Sequence, residues 1–279
     1  MELFIELLKT FVLGVIEGIT EWLPVSSTGH MIIAEDFLHL NQGDAFWNMF
    51  LVVIQLGAIL AVVVLYFSRL NPFSGKKTAD ERKVCCSLWG KIIVAALPAA
   101  VIGLLLDDFL EAHLMTPPVV AAALIVYGVA FIVIEKKKAE KPAACAAAED
   151  ISYGTAWKIG CFQVLSLIPG TSRSGATILG GMLTGVSRPG GAEFSFFLAI
   201  PVMLGASGLK LLKYVLEFGF SFTLSQLAVL AVGVLTAFFV SLAAIRFLVS
   251  FVRRHSFSAF GWYRIALGIL VLGVHFLLR

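Results

Sequence analysis

Three runs of this 279-residue chain carry no charged side chain: Ala45–Ser68 over 24 residues, Leu114–Ile134 over 21 and Phe218–Ile245 over 28. A helix rises 1.5 Å per residue, so about 20 residues cross a hydrocarbon core of about 30 Å. Each run is long enough to cross as a helix. Only 14% of the residues are charged, 59% are hydrophobic and the mean hydropathy is +0.94. Soluble domains carry about a quarter charged residues, so the class is an integral membrane protein.

Three further stretches read as interrupted crossings. Val84–Leu106 is broken by Lys91, Phe194–Leu216 carries Lys210 and Lys213 in its last turns, and Phe260–Leu278 contains Arg264 near one end. Long basic side chains near a helix end reach the interface, so these charges are read as snorkelling. The net charge of +3, with the basic residues between the spans, gives no reason to expect a nucleic-acid partner. Cys85, Cys86, Cys145 and Cys161 form no C-x-x-C pair and are expected to be unpaired thiols without a metal role. Glu2, Glu6 and Lys9 leave the N-terminus without the basic start of a signal peptide.

Two segments are long and apolar but carry the wrong residues for a straight span. Residues 10–34 contain Glu17, Glu21 and His30, and residues 159–187 contain a single charge, Arg173, with 14 uncharged residues on either side. Each is cut near its middle by helix breakers, Pro24 and Gly29 in the first, Pro169, Gly170 and Gly175 in the second. An arm of 14 residues covers about 21 Å, less than the core thickness. Both segments are therefore expected to be re-entrant helical hairpins that dip to mid-membrane and turn back.

Loop charge sets the orientation. Arg69, Lys76, Lys77, Arg82 and Lys83 share one loop, Lys136, Lys137, Lys138 and Lys141 another, and the link between them, Asp107–Pro118, holds Asp107, Asp108 and Glu111. The positive-inside rule places the basic loops in the cytoplasm and the acidic link outside. The first hairpin then opens outward. The expectation is an all-α integral membrane protein, a single domain of six transmembrane helices plus two re-entrant hairpins arranged as an inverted-topology repeat. The first repeat is 1–135 (hairpin 10–34, spans 45–68, 84–106 and 114–134), 136–157 is a basic cytoplasmic linker, and the second repeat is 158–279 (hairpin 159–187, spans 194–216, 218–245 and 260–278). A shift of 146 residues superposes Gly14 on Gly160, Ser26 on Ser172 and Gly29 on Gly175, and pairs Glu17 with Gln163. Broken helices of inverted repeats meet near the midplane in transporters and form substrate sites there.

The two tips together suit a phosphate or diphosphate ester. Glu17 and Glu21, four apart, share one helix face. Ser26, Ser27, Thr28 and His30 follow the first break, and Thr171, Ser172, Arg173 and Ser174 lie at the second. Arg173 offers a donor fork matched to phosphate oxygens, and turns bordered by Gly29, Gly170 and Gly175 beside helix ends expose N–H groups to an anion. A hydroxyl near a histidine supplies nucleophile and base, and paired carboxylates orient the base or hold a divalent ion. Gly14-x-x-x-Gly18 and Gly181-x-x-x-Gly185 are read as close helix contacts.

The stretch from Glu17 to His30, EGITEWLPVSSTGH, and the stretch from Pro169 to Gly175, PGTSRSG, resemble the two signatures of the bacterial undecaprenyl-diphosphate phosphatases, the bacitracin-resistance proteins. The resemblance extends over essentially the whole chain. It implies hydrolysis of undecaprenyl diphosphate to undecaprenyl phosphate and inorganic phosphate, in the bacterial cytoplasmic membrane, with Mg²⁺ or Ca²⁺ assisting. It also implies that Glu17, Glu21, Ser27, His30 and Arg173 form the functional core, with Ser26, Thr28, Thr171, Ser172 and Ser174 lining the phosphate pocket. Ser27 is expected to attack the terminal phosphorus, His30 to take its proton, Glu21 to orient His30 or bind metal, and Glu17 to serve metal or pocket. His30 as nucleophile is the internal alternative, and a lipid flippase or secondary transporter the alternative of another class. A cavity facing the periplasm or exterior and a homodimer are further expectations.

Overall fold

The computed structural model describes residues 1–138, 144–219 and 222–278; among these the chain is helical, with one isolated bridge between Cys145 and Val186. The helices are α1 (Glu2–Thr20), α2 (Ser27–Leu38), α3 (Asp44–Leu65), the short α4 (Phe67–Leu70), α5 (Ala79–Leu114), α6 (Pro117–Lys138), α7 (Tyr153–Val164), α8 (Arg173–Leu183), α9 (Arg188–Phe218), α10 (Leu224–Val252) and α11 (Ser258–Leu278). Six of them, α3, α5, α6, α9, α10 and α11, are long and apolar enough to cross a membrane. Apolar side chains such as Leu60, Val101, Val126, Leu204, Leu235 and Ile269, one from each of these six, are exposed, as hydrocarbon contact requires.

Several boundaries differ from the sequence expectation, each for a local reason. Helix α5 begins at Ala79 because Thr78 caps it: the hydroxyl accepts from the Glu81 N–H and the Glu81 carboxylate accepts from the Thr78 N–H. It then runs to Leu114, so the acidic stretch expected in a link forms the last turns of a helix and only Met115 and Thr116 connect to α6. The same kind of box, Thr223 with Gln226, starts α10 at Leu224, and that helix runs on to Val252. Helix α1 starts at Glu2, eight residues before the expected hairpin, and holds Lys9 within it, paired with Glu6 at 3.5 Å and donating to the His39 carbonyl at 2.8 Å. Lys91 does not snorkel: it is nearly buried and donates to the Glu149 carbonyl at 2.7 Å. Residues 139–143 of the expected linker, including Lys141, lie outside the described residues.

Helix α1 packs on α10 and α7 on α5, α2 meets α11 and α8 meets α6, while α3 pairs with α9 and α6 with α11. Exchanging α1–α2 with α7–α8, α3 with α9, α5 with α10 and α6 with α11 returns the same set of pairs. This pattern brings the α1–α2 and α7–α8 breaks to the centre, between the crossing helices. Helix approach there is close enough to demand glycine. Gly14 and Gly18 face α10, while a Cβ at Gly57 or at Gly160 would lie 2.3 Å from the carbonyl oxygen of Val234 or of Ala95. Of the second small-residue pair only Gly181 is helical, Gly185 sitting in the turn after α8 with φ +91°.

Forcing a methyl into such a contact costs about 1–3 kcal/mol. Gly160→Ala is accordingly expected to lower the apparent Tm in detergent, whereas Gly205→Ala, which meets nothing within 4 Å inside α9, leaves it unchanged or raises it.

Candidate active site

The two breaks are built alike. Glu21 keeps helical geometry just past α1 and its N–H reaches the Glu17 carbonyl at 3.0 Å, so the two carboxylates remain on one face. The chain then turns through Trp22–Val25 and enters α2 from Ser26 at φ 72°. The second break enters α8 from Ser172 at φ 70°. Among the described residues these are the only non-glycine positions in the left-handed region, where a Cβ is crowded and strain concentrates at functional sites. Each serine caps the helix that it starts: the Ser26 hydroxyl accepts from the Gly29 N–H at 3.3 Å and the Ser172 hydroxyl from the Gly175 N–H at 3.2 Å. Gly29 and Gly175, expected to offer N–H groups to substrate, thus spend them on caps.

A continuous polar chain joins the breaks. Ser27 Oγ donates to Glu21 Oε2 at 2.9 Å, and Arg173 Nη2 donates to Glu21 Oε1 at 2.9 Å. Arg173 Nη1 donates to the Ser195 carbonyl of α9 at 2.7 Å, and its guanidinium lies over the buried Trp22 ring, 5.6 Å from the centroid. Ser174 Oγ lies 3.3 Å from each of the Glu21 and Leu23 carbonyls and 3.1 Å from Ser172 Oγ. The Glu21 and Arg173 side chains are each only 10% exposed, so their attraction is little screened by water.

His30 belongs to a separate pair. Its Nδ1 is 2.7 Å from the Ser26 carbonyl, which can only accept, so Nδ1 carries the proton. Nε2 then accepts from the Tyr263 hydroxyl at 2.7 Å, with the two rings stacked. The expected arrangement, with His30 beside the Ser27 hydroxyl and Glu21 behind His30, is not what the chain adopts: Glu21 itself holds Ser27, and both of its oxygens are engaged. Glu17 sits behind, 1% exposed, with Oε1 unpartnered among the described residues. Thr28, beside Ser27, is partly exposed, and Thr171 is fully buried.

Two residues that the sequence reading did not assign to the site stand beside it, and one of them reverses an expectation. Arg264 was expected to snorkel; it is 0% exposed and is held between the breaks. Its Nη1 donates to the Pro24 carbonyl at 3.1 Å, and its Nη2 donates to the Gly170 and Thr171 carbonyls at 2.8 Å each. Gly170, at φ +89°, passes so close to α6 that a Cβ would lie 2.5 Å from the Val120 oxygen. Gly170 and Thr171 therefore present their carbonyls to Arg264. The signal was present: Arg264 is a lone charge about 9 Å inside α11, at a depth where ionisable groups are expensive without partners. Its neighbour Tyr263 carries no comparable signal.

Residues 10–270, which enclose both breaks and the Tyr263–Arg264 pair, match the family of the bacitracin resistance protein BacA. The chain belongs to this family. It is 57% identical over 271 residues to an undecaprenyl-diphosphatase of Enterococcus faecalis, covering 96% of this chain and 97% of that one. It is 56% identical over 271 residues to the undecaprenyl-diphosphatase of Streptococcus mutans, covering 97% and 96%, and 55% identical over 268 residues to that of Streptococcus thermophilus, covering 96% and 93%. In this BacA-family protein, then, the polar chain and the arginine clamp lie within the matched region.

Arg264→Gln removes a charge bound by three buried carbonyls and is expected to destabilise by about 3 kcal/mol or more, seen as a lower apparent Tm. Tyr263→Phe keeps the stacked ring and is expected to leave Tm unchanged.

Proposed function

We propose that this protein hydrolyses undecaprenyl diphosphate to undecaprenyl phosphate and inorganic phosphate, recycling a lipid carrier of cell-wall synthesis and so conferring bacitracin resistance. The observation that carries the reading is the Ser27–Glu21–Arg173 chain, which sets a nucleophile, a base and a phosphate-matched cation in contact across the two breaks. The names of relatives at 55–57% identity over nearly the whole chain support the substrate.

In the proposed reaction Ser27 Oγ attacks the terminal phosphorus and its proton passes to Glu21 Oε2. The Oγ–P bond forms while the bond from phosphorus to the bridging oxygen breaks, and undecaprenyl phosphate leaves. Water then displaces phosphate from the phosphoserine and Ser27 regains a proton. At rest Arg173 is balanced by Glu21. Once Glu21 is protonated, the guanidinium charge is released towards the phosphoryl oxygens, where the transition state needs it. The first N–H groups of α2 and α8 have no partner within their helices, and those of Ser27, Thr28, Arg173 and Ser174 point the same positive helix ends at the phosphates. The unpartnered Glu17, one turn from Glu21, would be the carboxylate to hold a divalent cation, which would supply charge neutralisation.

A second reading rests on the His30 tautomer: with Nδ1–H held by the Ser26 carbonyl, Nε2 keeps the lone pair that a phosphohistidine requires. The rival transporter reading has no comparable observation in its favour.

The hairpins are proposed to be re-entrant within an inverted repeat. Helices α2, α7 and α8, of 12, 12 and 11 residues, each cover about 18 Å or less, short of a crossing. With the basic stretch Arg69–Lys83 in the cytoplasm, α3 starts outside, and the α1–α2 hairpin that precedes it opens to the periplasm or exterior.

Ser27→Ala is expected to lower phosphate release from undecaprenyl diphosphate by a factor on the order of 10³ or more. A phosphoenzyme trapped on the wild type should survive acid; an acid-labile adduct that persists in Ser27→Ala would instead establish His30 as nucleophile. A cysteine placed at Thr28 is expected to react with an impermeant thiol reagent from outside the cell, and labelling confined to the cytoplasmic side would reverse the orientation.

A further inference from the structure

Away from the breaks, a cavity of about 460 Å³ opens where α3 and α10 end, lined by Leu65, Tyr66, Ile245, Val249 and Ser250 together with Arg246, Arg253 and Arg254. Arg246 and Arg253 are two turns, about 10 Å, apart along α10. None of the three arginines makes an ion pair with a described residue. Glu193, whose charge acts on the lining residue Tyr66, is taken by Arg69 at 3.0 Å, and the same arginine holds Glu149 through two bonds of 2.8 Å.

Loop charge alone does not account for this arrangement. Arg246 is an exposed residue of α10, six residues and about 9 Å before Val252, and it lines the cavity together with Arg253 and Arg254, a grouping of unpaired cations that favours an anion. The neighbours in sequence, Val64, Phe67 and Phe247, are more than half exposed, so the mouth of the cavity is flanked by hydrocarbon-facing side chains. An occupant that satisfies both surroundings has an anionic phosphate at one end and acyl chains at the other. Basic pockets between membrane helices bind such headgroups.

We propose that this cavity is a binding site for the phosphate headgroup of an anionic bilayer lipid, separate from the site between the breaks. The three guanidinium groups hold the phosphate at the helix end, the Tyr66 and Ser250 hydroxyls add donors, and the acyl chains run along the outer face of α10. The site does not depend on the reaction proposed above.

The test is lipid retention measured by native mass spectrometry after equilibration with phosphatidylcholine vesicles with or without phosphatidylglycerol. The wild type is expected to retain phosphatidylglycerol selectively. Arg246→Gln/Arg253→Gln/Arg254→Gln should bind it about tenfold more weakly or worse, and Arg246→Gln alone should show part of that loss. A control with the same charge change at the same end, Lys76→Gln/Arg82→Gln/Lys83→Gln, should retain it as the wild type does. Equal loss in the control, or wild-type retention in the triple variant, overturns the proposal. Displacement of the lipid by inorganic phosphate at comparable concentration would identify a free-anion site and overturn the lipid assignment. All variants alter exposed side chains, so unchanged apparent Tm values accompany the expected result.

Discussion

A fully buried guanidinium and a set of backbone carbonyls orphaned by two helix breaks solve each other's problem in this protein. Breaking a helix in a buried place frees carbonyls that no water can reach, and burying an arginine there is costly on its own. Arg264 brings donors to Pro24 in one break and to Gly170 and Thr171 in the other, so a single side chain from α11 discharges both costs. It also fixes the distance between the breaks. Every functional contact across them, including the 2.9 Å bond between Arg173 and Glu21, presupposes that spacing.

Within that frame the backbone is strained at two matched points, Ser26 and Ser172. Their left-handed conformation turns the chain abruptly into α2 and α8, and their hydroxyls stabilise the turn by capping the helix that follows. The strain places Ser27 and Arg173 at the first positions of two short helices. Glu21 is shared between them. A carboxylate bound by a serine on one oxygen and an arginine on the other couples the protonation of one partner to the free charge of its neighbour.

Much of this was legible in the sequence. Uncharged and nearly uncharged runs found the six helices long and apolar enough to cross, because hydrocarbon thickness sets a minimum length, but left their ends open by up to eight residues. Proline and glycine inside charged, apolar segments located the breaks. Boundaries set by local hydrogen bonds were harder: the Thr78–Glu81 and Thr223–Gln226 boxes lie outside the hydrophobic signal that defines a span. Pairing within the site was not legible, since Glu21 and His30 are both within reach of Ser27 in sequence and only the turn through Trp22–Val25 decides which one faces it. Arg264 was misread because distance along the chain from a helix end was taken for distance from water. It lies about 9 Å into α11 and is surrounded by α6, α11 and both breaks.

Ser27 and Arg173 are separated by the same 146 residues as Ser26 and Ser172. The proposed nucleophile and the guanidinium paired with Glu21 therefore each directly follow a serine in the same left-handed turn. Had the halves stayed alike, two hydroxyls or two guanidinium groups would confront each other across Glu21, and neither arrangement could both attack and neutralise a phosphate. The backbone turn is repeated while the side chains that it presents differ: the geometry is duplicated and the chemistry divided. Neither turn alone supplies both the hydroxyl and the guanidinium that meet at Glu21.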